Sequence, residues 1–294
     1  MVTMQAAQKK EGFSLGRALN GLLLALISIT CLIPFLHLLA KSFSSSTAVV
    51  SGQVGILPIG FQLKTYEYVF QDKLFLSSFR NSLFITVVGT ALALAITTMA
   101  AYPLSKKDFR GRRVILLLYV FTMLFYGGTV SIYVFMSTLN LLNTLWCQII
   151  PLVVSQYNLF VMKAFFEELP ESIEEAACID GASQFRTLIS IILPLSLPSM
   201  ATIGLFYAVG YWNGYYHAML FVTRADVKPL QMYLYDLLNT ASNIQELDPA
   251  VAVNLSQNGV QAACITVGTL PILMAYPFAQ KYFVKGFTVG SVKG

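Results

Sequence analysis

Residues Glu175–Pro198 read E-A-A-C-I-D-G-A-S-Q-F-R-T-L-I-S-I-I-L-P-L-S-L-P. The first part is polar and short, and it is set between long apolar segments, so it does not cross a bilayer and is presented to something outside it. Pro170 breaks the preceding structure. Ser172 and Glu175 have the S-x-x-E spacing of a capping box, and Glu171, Glu174 and Glu175 suit the positive end of a helix dipole. Ile173, Ala176, Ala177 and Asp180 fall on one face at helical spacing, a small face that another backbone can approach. Gly181 is then a stop or a point of close contact. These signals predict a helix over about 172–182, after which Leu188 returns the chain to apolar surroundings and Pro194 marks the bend. On local mechanics alone the helix is either an amphipathic connector lying on the bilayer surface or a docking element.

Working outward, the chain is 56% hydrophobic and 11% charged, against roughly 25% charged in an average soluble domain. A hydrocarbon core about 30 Å thick takes roughly 20 apolar residues per helical span. Six windows qualify: Gly21–Ala40, Ser82–Leu104, Val114–Met136, Leu141–Phe160, Ile191–Val222 and Gln261–Phe283. They lack strand-like alternation, so the expected fold is an all-α polytopic membrane protein with six transmembrane helices.

Six spans place both termini, the K-K-D-F-R-G-R-R cluster (Lys106–Arg113) and the Glu175 segment on one side. That side holds thirteen of the 19 Lys and Arg residues. Positive residues stay cytoplasmic, so both termini are expected in the cytosol of a bacterial cell with its cytoplasmic (inner) membrane crossed several times. The 106–113 cluster is then a topology anchor and not a nucleic-acid site. The first span is longer than a signal-peptide core and lacks a convincing cleavage site, so it is taken as retained. The expected organisation is a cytoplasmic tail (1–20), a first span (21–40), an extracytoplasmic segment (41–80) with a short interfacial helix near Phe61–Phe75, a five-span core (81–283) and a cytoplasmic tail (284–294). Cys31, Cys147, Cys178 and Cys264 show no paired spacing, so neither a disulfide framework nor a metal site is expected.

E-A-A, then D-G-A, then I-x-L-P, with nine residues between Gly181 and Ile191, resembles the signature loop of ABC importer permeases. The C-terminal F-V-K-G-F-T-V-G-S-V-K-G, N-S-L-F at Asn81–Phe84 and Y-W-N at Tyr211–Asn213 are similar to the smaller permease subunit of maltose-type carbohydrate-uptake systems. The resemblance implies a type I ABC importer permease fold in which a coupling helix docks in a groove of a cytoplasmic ATPase. It assigns ATPase coupling to Glu175, Ala176, Ala177, Asp180, Gly181, Ala182 and Pro194. It sends a tail bearing Lys285, Gly286, Gly290, Lys293 and Gly294 into the ATPase dimer. It also implies a second permease subunit, two ATPase subunits and an extracytoplasmic solute-binding protein, with ATP and Mg on the ATPase partners and a carbohydrate, an oligosaccharide by expectation, as cargo. Position 178 is Cys, and Val289 and Ser291 stand in the tail, without affecting the match.

The energy source agrees with that reading. No G-x-x-x-x-G-K-[ST] phosphate loop is present, so no cofactor is expected in this chain. The cores of the six spans hold no acidic residue and no Lys or Arg, whereas ion-coupled carriers usually keep such groups there. In span five, Tyr207, Tyr211, Trp212, Asn213, Tyr215 and Tyr216 form a polar-aromatic group. Aromatic rings stack on sugar C–H faces, and Asn or Tyr hydrogen-bonds hydroxyls, which makes the group a candidate substrate path. The same residues also suit an interfacial belt and packing seam, with Gly210 and Gly214 at a spacing for close helix contact. A secondary sugar carrier and a non-transporting membrane scaffold are the two rival functions.

Overall fold

A computed structural model describes residues 15–239 and 256–290. The regular elements among them are all helical. In chain order they are α1 (Leu15–Ser42), α2 (Ser46–Val50), α3 (Lys64–Gln71), α4 (Lys73–Ser105), α5 (Arg112–Leu124), α6 (Thr129–Thr138), α7 (Trp146–Ile149), α8 (Gln156–Glu167), α9 (Glu171–Ile179), α10 (Gln184–Thr187), α11 (Leu193–Leu195), α12 (Leu197–Trp212), α13 (Tyr216–Phe221), α14 (Leu230–Asn239) and α15 (Gln257–Gly290). The chain divides into two compact units, Met1–Tyr66 with Leu247–Thr266, and Glu67–Glu246 with Val267–Gly294.

In the first unit, α1 carries an apolar window of which no residue is buried. Leu22, Leu26, Ile29 and Ile33 all lie bare, as suits a helix surrounded by hydrocarbon. The polar run after α1 is an ordered turn. Ser44 Oγ accepts from the Ile59 N–H at 3.0 Å, the Gln62 side-chain amide donates to the Ser44 carbonyl at 3.0 Å, and Phe43 stacks between Phe61 and Tyr66. A helix does form within the expected Phe61–Phe75 stretch, as α3.

The second unit is built on α4, an unbroken helix of 33 residues. At 1.5 Å per residue it is about 50 Å long, more than the roughly 30 Å hydrocarbon thickness. It starts nine residues before the expected Ser82, because Asp72 caps it by accepting from the Leu74 N–H at 2.8 Å. α12 and then α8 pack most extensively along α4. Small residues permit this: Ala93 and Ala101 are fully enclosed, and Gly89 lies under the ring of Tyr211. Around them Ile85, Ile149, Leu159, Met162, Phe166, Ile192 and Ile203 complete the core.

Three helices, α1, α4 and the described part of α15, are long and apolar enough to cross a membrane singly, and three further spans are bent pairs. The expected span Val114–Met136 is α5 and α6, bent by 113°, because Phe125–Gly128 leaves the helix and Gly128 takes φ 84°, a conformation that suits glycine. The expected Leu141–Phe160 is displaced toward the C-terminus as Trp146–Leu152 and Gln156–Glu167, bent by 50°. Asn140 and Asn143, both at positive φ, hold its first residues in a turn. Gln184–Leu195 meets Leu197–Trp212 at 84°. This bend falls at Ser196, not at Pro194 as expected. Pro194 lacks the N–H that a regular helix would point at Ser190. The turn before it widens to a π-helix over Leu188–Ile192, where the Leu193 N–H reaches the Leu188 carbonyl. The last helix runs unbroken to Gly290, so the region expected to be a tail from 284 is helical that far.

Candidate functional site

α9 forms the centre of the Glu175 elbow. Pro170, not Ser172, is its N-cap residue, and no side chain caps it. The expected capping box is therefore absent: Pro170 already fixes extended backbone ahead of the first turn, which leaves Ser172 inside the helix. The C-terminal end follows expectation. Gly181 has φ 76°, its N–H donates to the Cys178 carbonyl at 3.0 Å, and the Ala182 N–H donates to the Ala177 carbonyl at 2.9 Å. This is a Schellman stop, which needs a left-handed residue at the glycine position.

The coupling candidates separate by exposure. Ala177 is buried and Ala182 half-buried, whereas Glu175, Ala176, Asp180, Gly181 and Pro194 are exposed. A Cβ built on Gly181 would meet nothing within 4 Å, so its surroundings are open in the isolated chain. Ile179 is 86% exposed and Phe185 is 65% exposed. These two bare apolar side chains on either side of Gly181 were not singled out in the sequence, although Ile179 lies within the quoted motif. Lys285, Gly286 and Gly290 lie in the last turns of α15, while Lys293 and Gly294 lie outside the described residues.

The basic 106–113 segment lies against this elbow. Lys106 pairs with Glu174, and its ammonium stands 4.7 Å from the centre of the Tyr102 ring. Lys107 reaches Glu171 at 3.3 Å. Arg112 and Lys163 share Glu167, at 2.5 and 2.7 Å. The Arg112 Nε also donates to the Leu104 carbonyl at 2.9 Å, and the Tyr102 hydroxyl donates to Gln184 at 3.2 Å. Tyr102, Lys106, Lys107, Glu171, Glu174 and Gln184 border a cleft of about 940 Å³ between the end of α4 and the elbow. Opposite charge in the two segments, K-K-D-F-R-G-R-R against the glutamates of 167–175, was the available sequence signal.

The aromatic group of span five divides in two. Tyr207 is buried, shares a 2.6 Å hydrogen bond with Thr97 and accepts from the Ser155 N–H at 3.2 Å. Tyr211 is buried and donates to the Ile149 carbonyl at 3.0 Å. Trp212 donates to the Gly268 carbonyl at 3.2 Å and meets the edge of Phe79. These three are packed with their polar atoms satisfied. Asn213, Tyr215 and Tyr216 are exposed: Tyr215 stacks on Tyr235, and Tyr216 shares a 3.0 Å hydrogen bond with Thr129. Gly210 and Gly214 make no close helix contact; Gly214 touches only carbonyls at the end of its own helix. Gly89 supplies the close approach instead.

Beyond α13 the chain forms a pinned platform. The Asn143 side-chain oxygen accepts from the Thr223 and Arg224 N–H groups and the Thr223 hydroxyl. The Asn81 amide donates to the Asp226 and Lys228 carbonyls at 2.8 and 3.1 Å. The exposed Arg224 guanidinium donates to Asp226 and holds its carboxyl below the usual carboxylate range. Among the described residues no group of His, Cys, Asp or Glu could hold a metal.

Comparison with known proteins places this geometry. LplC of Bacillus subtilis (strain 168) is 42% identical over 279 residues, covering 94% of each chain. The polygalacturonan/rhamnogalacturonan transport system permease protein YtcP of the same organism is 38% identical, over 92% of this chain and 96% of that protein. A chain of a bacterial ABC transporter involved in the import of the acidic polysaccharide alginate superposes with a TM-score of 0.88 at 34% identity, covering 93% of this chain and 99% of its own. The model of the binding-protein-dependent transport system inner membrane component matches residues 5–289. The chain therefore belongs to that family of ABC transport permeases, the one that the E-A-A…D-G-A…I-x-L-P pattern resembles.

Proposed function

We propose that this chain is the permease subunit of a carbohydrate ABC importer and that α9 transmits the state of a separate ATPase to the spans. The observation that carries the coupling role is the elbow itself. It is a short helix closed at its C-terminal end by a Schellman stop, with Gly181 facing open space and Ile179 and Phe185 bare beside it, a small apolar surface suited to a groove on a partner. The chain forms one half of a pore, with a second permease as the other half. Two ATPase subunits hold ATP and Mg, and an extracytoplasmic solute-binding protein delivers the cargo. The basic side, with the elbow and both termini, faces the cytosol. The ATPase pair closes around nucleotide, α9 moves with it, and the spans exchange inward- and outward-open states. The names of the relatives favour oligosaccharides containing uronate units.

Affinity purification of the chain from its host should bring down an ATPase whose hydrolysis rises with saccharide-loaded binding protein. Uptake by the chain alone in vesicles would refute the reading and favour a secondary carrier. An ATPase partner without any saccharide flux would favour a scaffold.

For the cargo path, Asn213, Tyr215 and Tyr216 are the open members of the span-five group. Asn213→Ala removes an exposed amide from the end of α12 and no packing. Uptake should fall about three- to tenfold, the loss of one hydrogen bond of roughly 1 kcal/mol, at unchanged membrane abundance. Wild-type uptake would remove Asn213 from the path.

A further inference from the structure

The elbow has two physical connections to the spans. One is the chain itself, through the four residues of α10, the π turn and the 84° bend at Ser196 into α12. That route contains a widened turn and a sharp bend, so it transmits a displacement softly. The other is the contact with the end of α4. We propose that Lys106 is a positioning residue for coupling: it fastens the elbow to α4, so that a displacement of α9 tilts α4 directly, while Arg112 ties the end of α8 to the same place. This inference rests on the coupling role proposed above.

The pairs differ in weight. Lys107 and Glu171 are 84% and 80% exposed, and such surface pairs contribute little. Lys106 and Glu174 are 29% and 21% exposed, and the Lys106 ammonium lies over the ring of Tyr102, a residue of α4 that also reaches α10 through Gln184. Arg112, the first residue of α5, caps the last turn of α4 by donating to the Leu104 carbonyl and grips Glu167 at the end of α8, a carboxylate it shares with Lys163, which is only 13% exposed. The ends of α4 and α8 and the starts of α5 and α9 are thus tied by shared, half-buried charges. Reversing one of them leaves like charges facing each other in a poorly solvated place, which costs more than losing a surface pair.

The test uses the complete importer in proteoliposomes and reads saccharide moved per ATP hydrolysed. Lys106→Glu should retain the ATPase subunits in the complex yet lower that ratio about fivefold or more, as loss of an ordinary coupling free energy would. The exchange Lys106→Glu with Glu174→Lys should restore the ratio to within about twofold, since the same pair then forms in reverse. Cysteines at 106 and 174, in a Cys178→Ala background and joined by a short bismaleimide, should leave transport running, because the bridged parts move together. An unchanged ratio in Lys106→Glu, no recovery in the exchange, or arrested transport on bridging would each overturn the proposal. Loss of the ATPase from the Lys106→Glu complex would also overturn it, by assigning Lys106 to the docking surface. Should Lys106→Glu fail to fold, the milder Lys106→Ala must show the lowered ratio or the proposal falls. Absence of an ATPase from the wild-type complex would instead refute the coupling reading itself, whatever the strap does.

Discussion

Gly181→Asp should weaken association with the ATPase by about tenfold or more, the scale of a disrupted interface hot spot, and reduce uptake at least as much, while the permease itself stays folded and at normal abundance. The argument is geometric. The new Cβ would meet nothing within 4 Å in the isolated chain, so a steric penalty must come from a partner, and the electrostatic cost within the chain is limited to the exposed end of α9 and the neighbouring Asp180. The backbone cost is modest, because Asp tolerates the left-handed region better than most residues. Gly181→Asn separates charge from backbone: it should keep the turn and lose less association. Measuring ATPase retention during purification alongside thermal stability decides the matter. Wild-type retention in Gly181→Asp would mean that nothing docks at this turn.

The second large effect is expected inside the core. Gly89→Leu should remove most folded protein from the membrane. A Cβ at position 89 would stand 2.7 Å from Cζ of Tyr211, with two further ring atoms within 2.9 Å, on the ring whose hydroxyl is held by the Ile149 carbonyl. The ring cannot withdraw without breaking that hydrogen bond and parting α12 from α4. Overpacking of this kind costs about 1–3 kcal/mol, and a buried carbonyl left without a partner adds about 1–3 kcal/mol. Fluorescence-detected gel filtration of membrane extracts would read the loss. Gly89→Leu with Tyr211→Ala, which makes room on the facing helix, should recover part of it. Normal abundance of Gly89→Leu would show that α4 and α12 separate freely here. For the same reason, lowered uptake in Tyr211→Ala would report damaged packing before it reported a substrate contact.

These two sites also show what could be read from the sequence. The six apolar windows were legible because the bilayer demands length and composition, and both survive in a one-dimensional reading. Three spans broke where local chemistry overrides the apolar run, at Gly127–Gly128, around Pro151 and at Ser196. Glycine and proline marked these places, but not the size of each bend. The stop at Gly181 was visible because a Schellman turn is local, whereas the start moved from Ser172 to Pro170 because the proline already fixes extended backbone ahead of the first turn. The span-five aromatics were recognisable as a group, yet their division into packed and open members depends on Thr97, Ser155, Ile149 and Gly268, all distant in the chain. The pairing of Lys106 with Glu174 crosses 68 positions and needed the folded backbone.

α4 is also stapled toward its other end, about two turns inside its start. The Asn81 amide holds the Asp226 and Lys228 carbonyls, and the Ser82 hydroxyl accepts from the Leu230 N–H at 2.7 Å. From Asn81 to Ser105 the rod runs about 36 Å at helical rise, and its single proline, Pro103, lies in its final turn. Where three neighbouring crossings are jointed, this one is a straight axle with a fitting toward each end. Under the coupling proposed above, a push delivered at Lys106 would reach Asn81 along this one rod, and events at its two ends would be synchronised mechanically without any messenger passing between them.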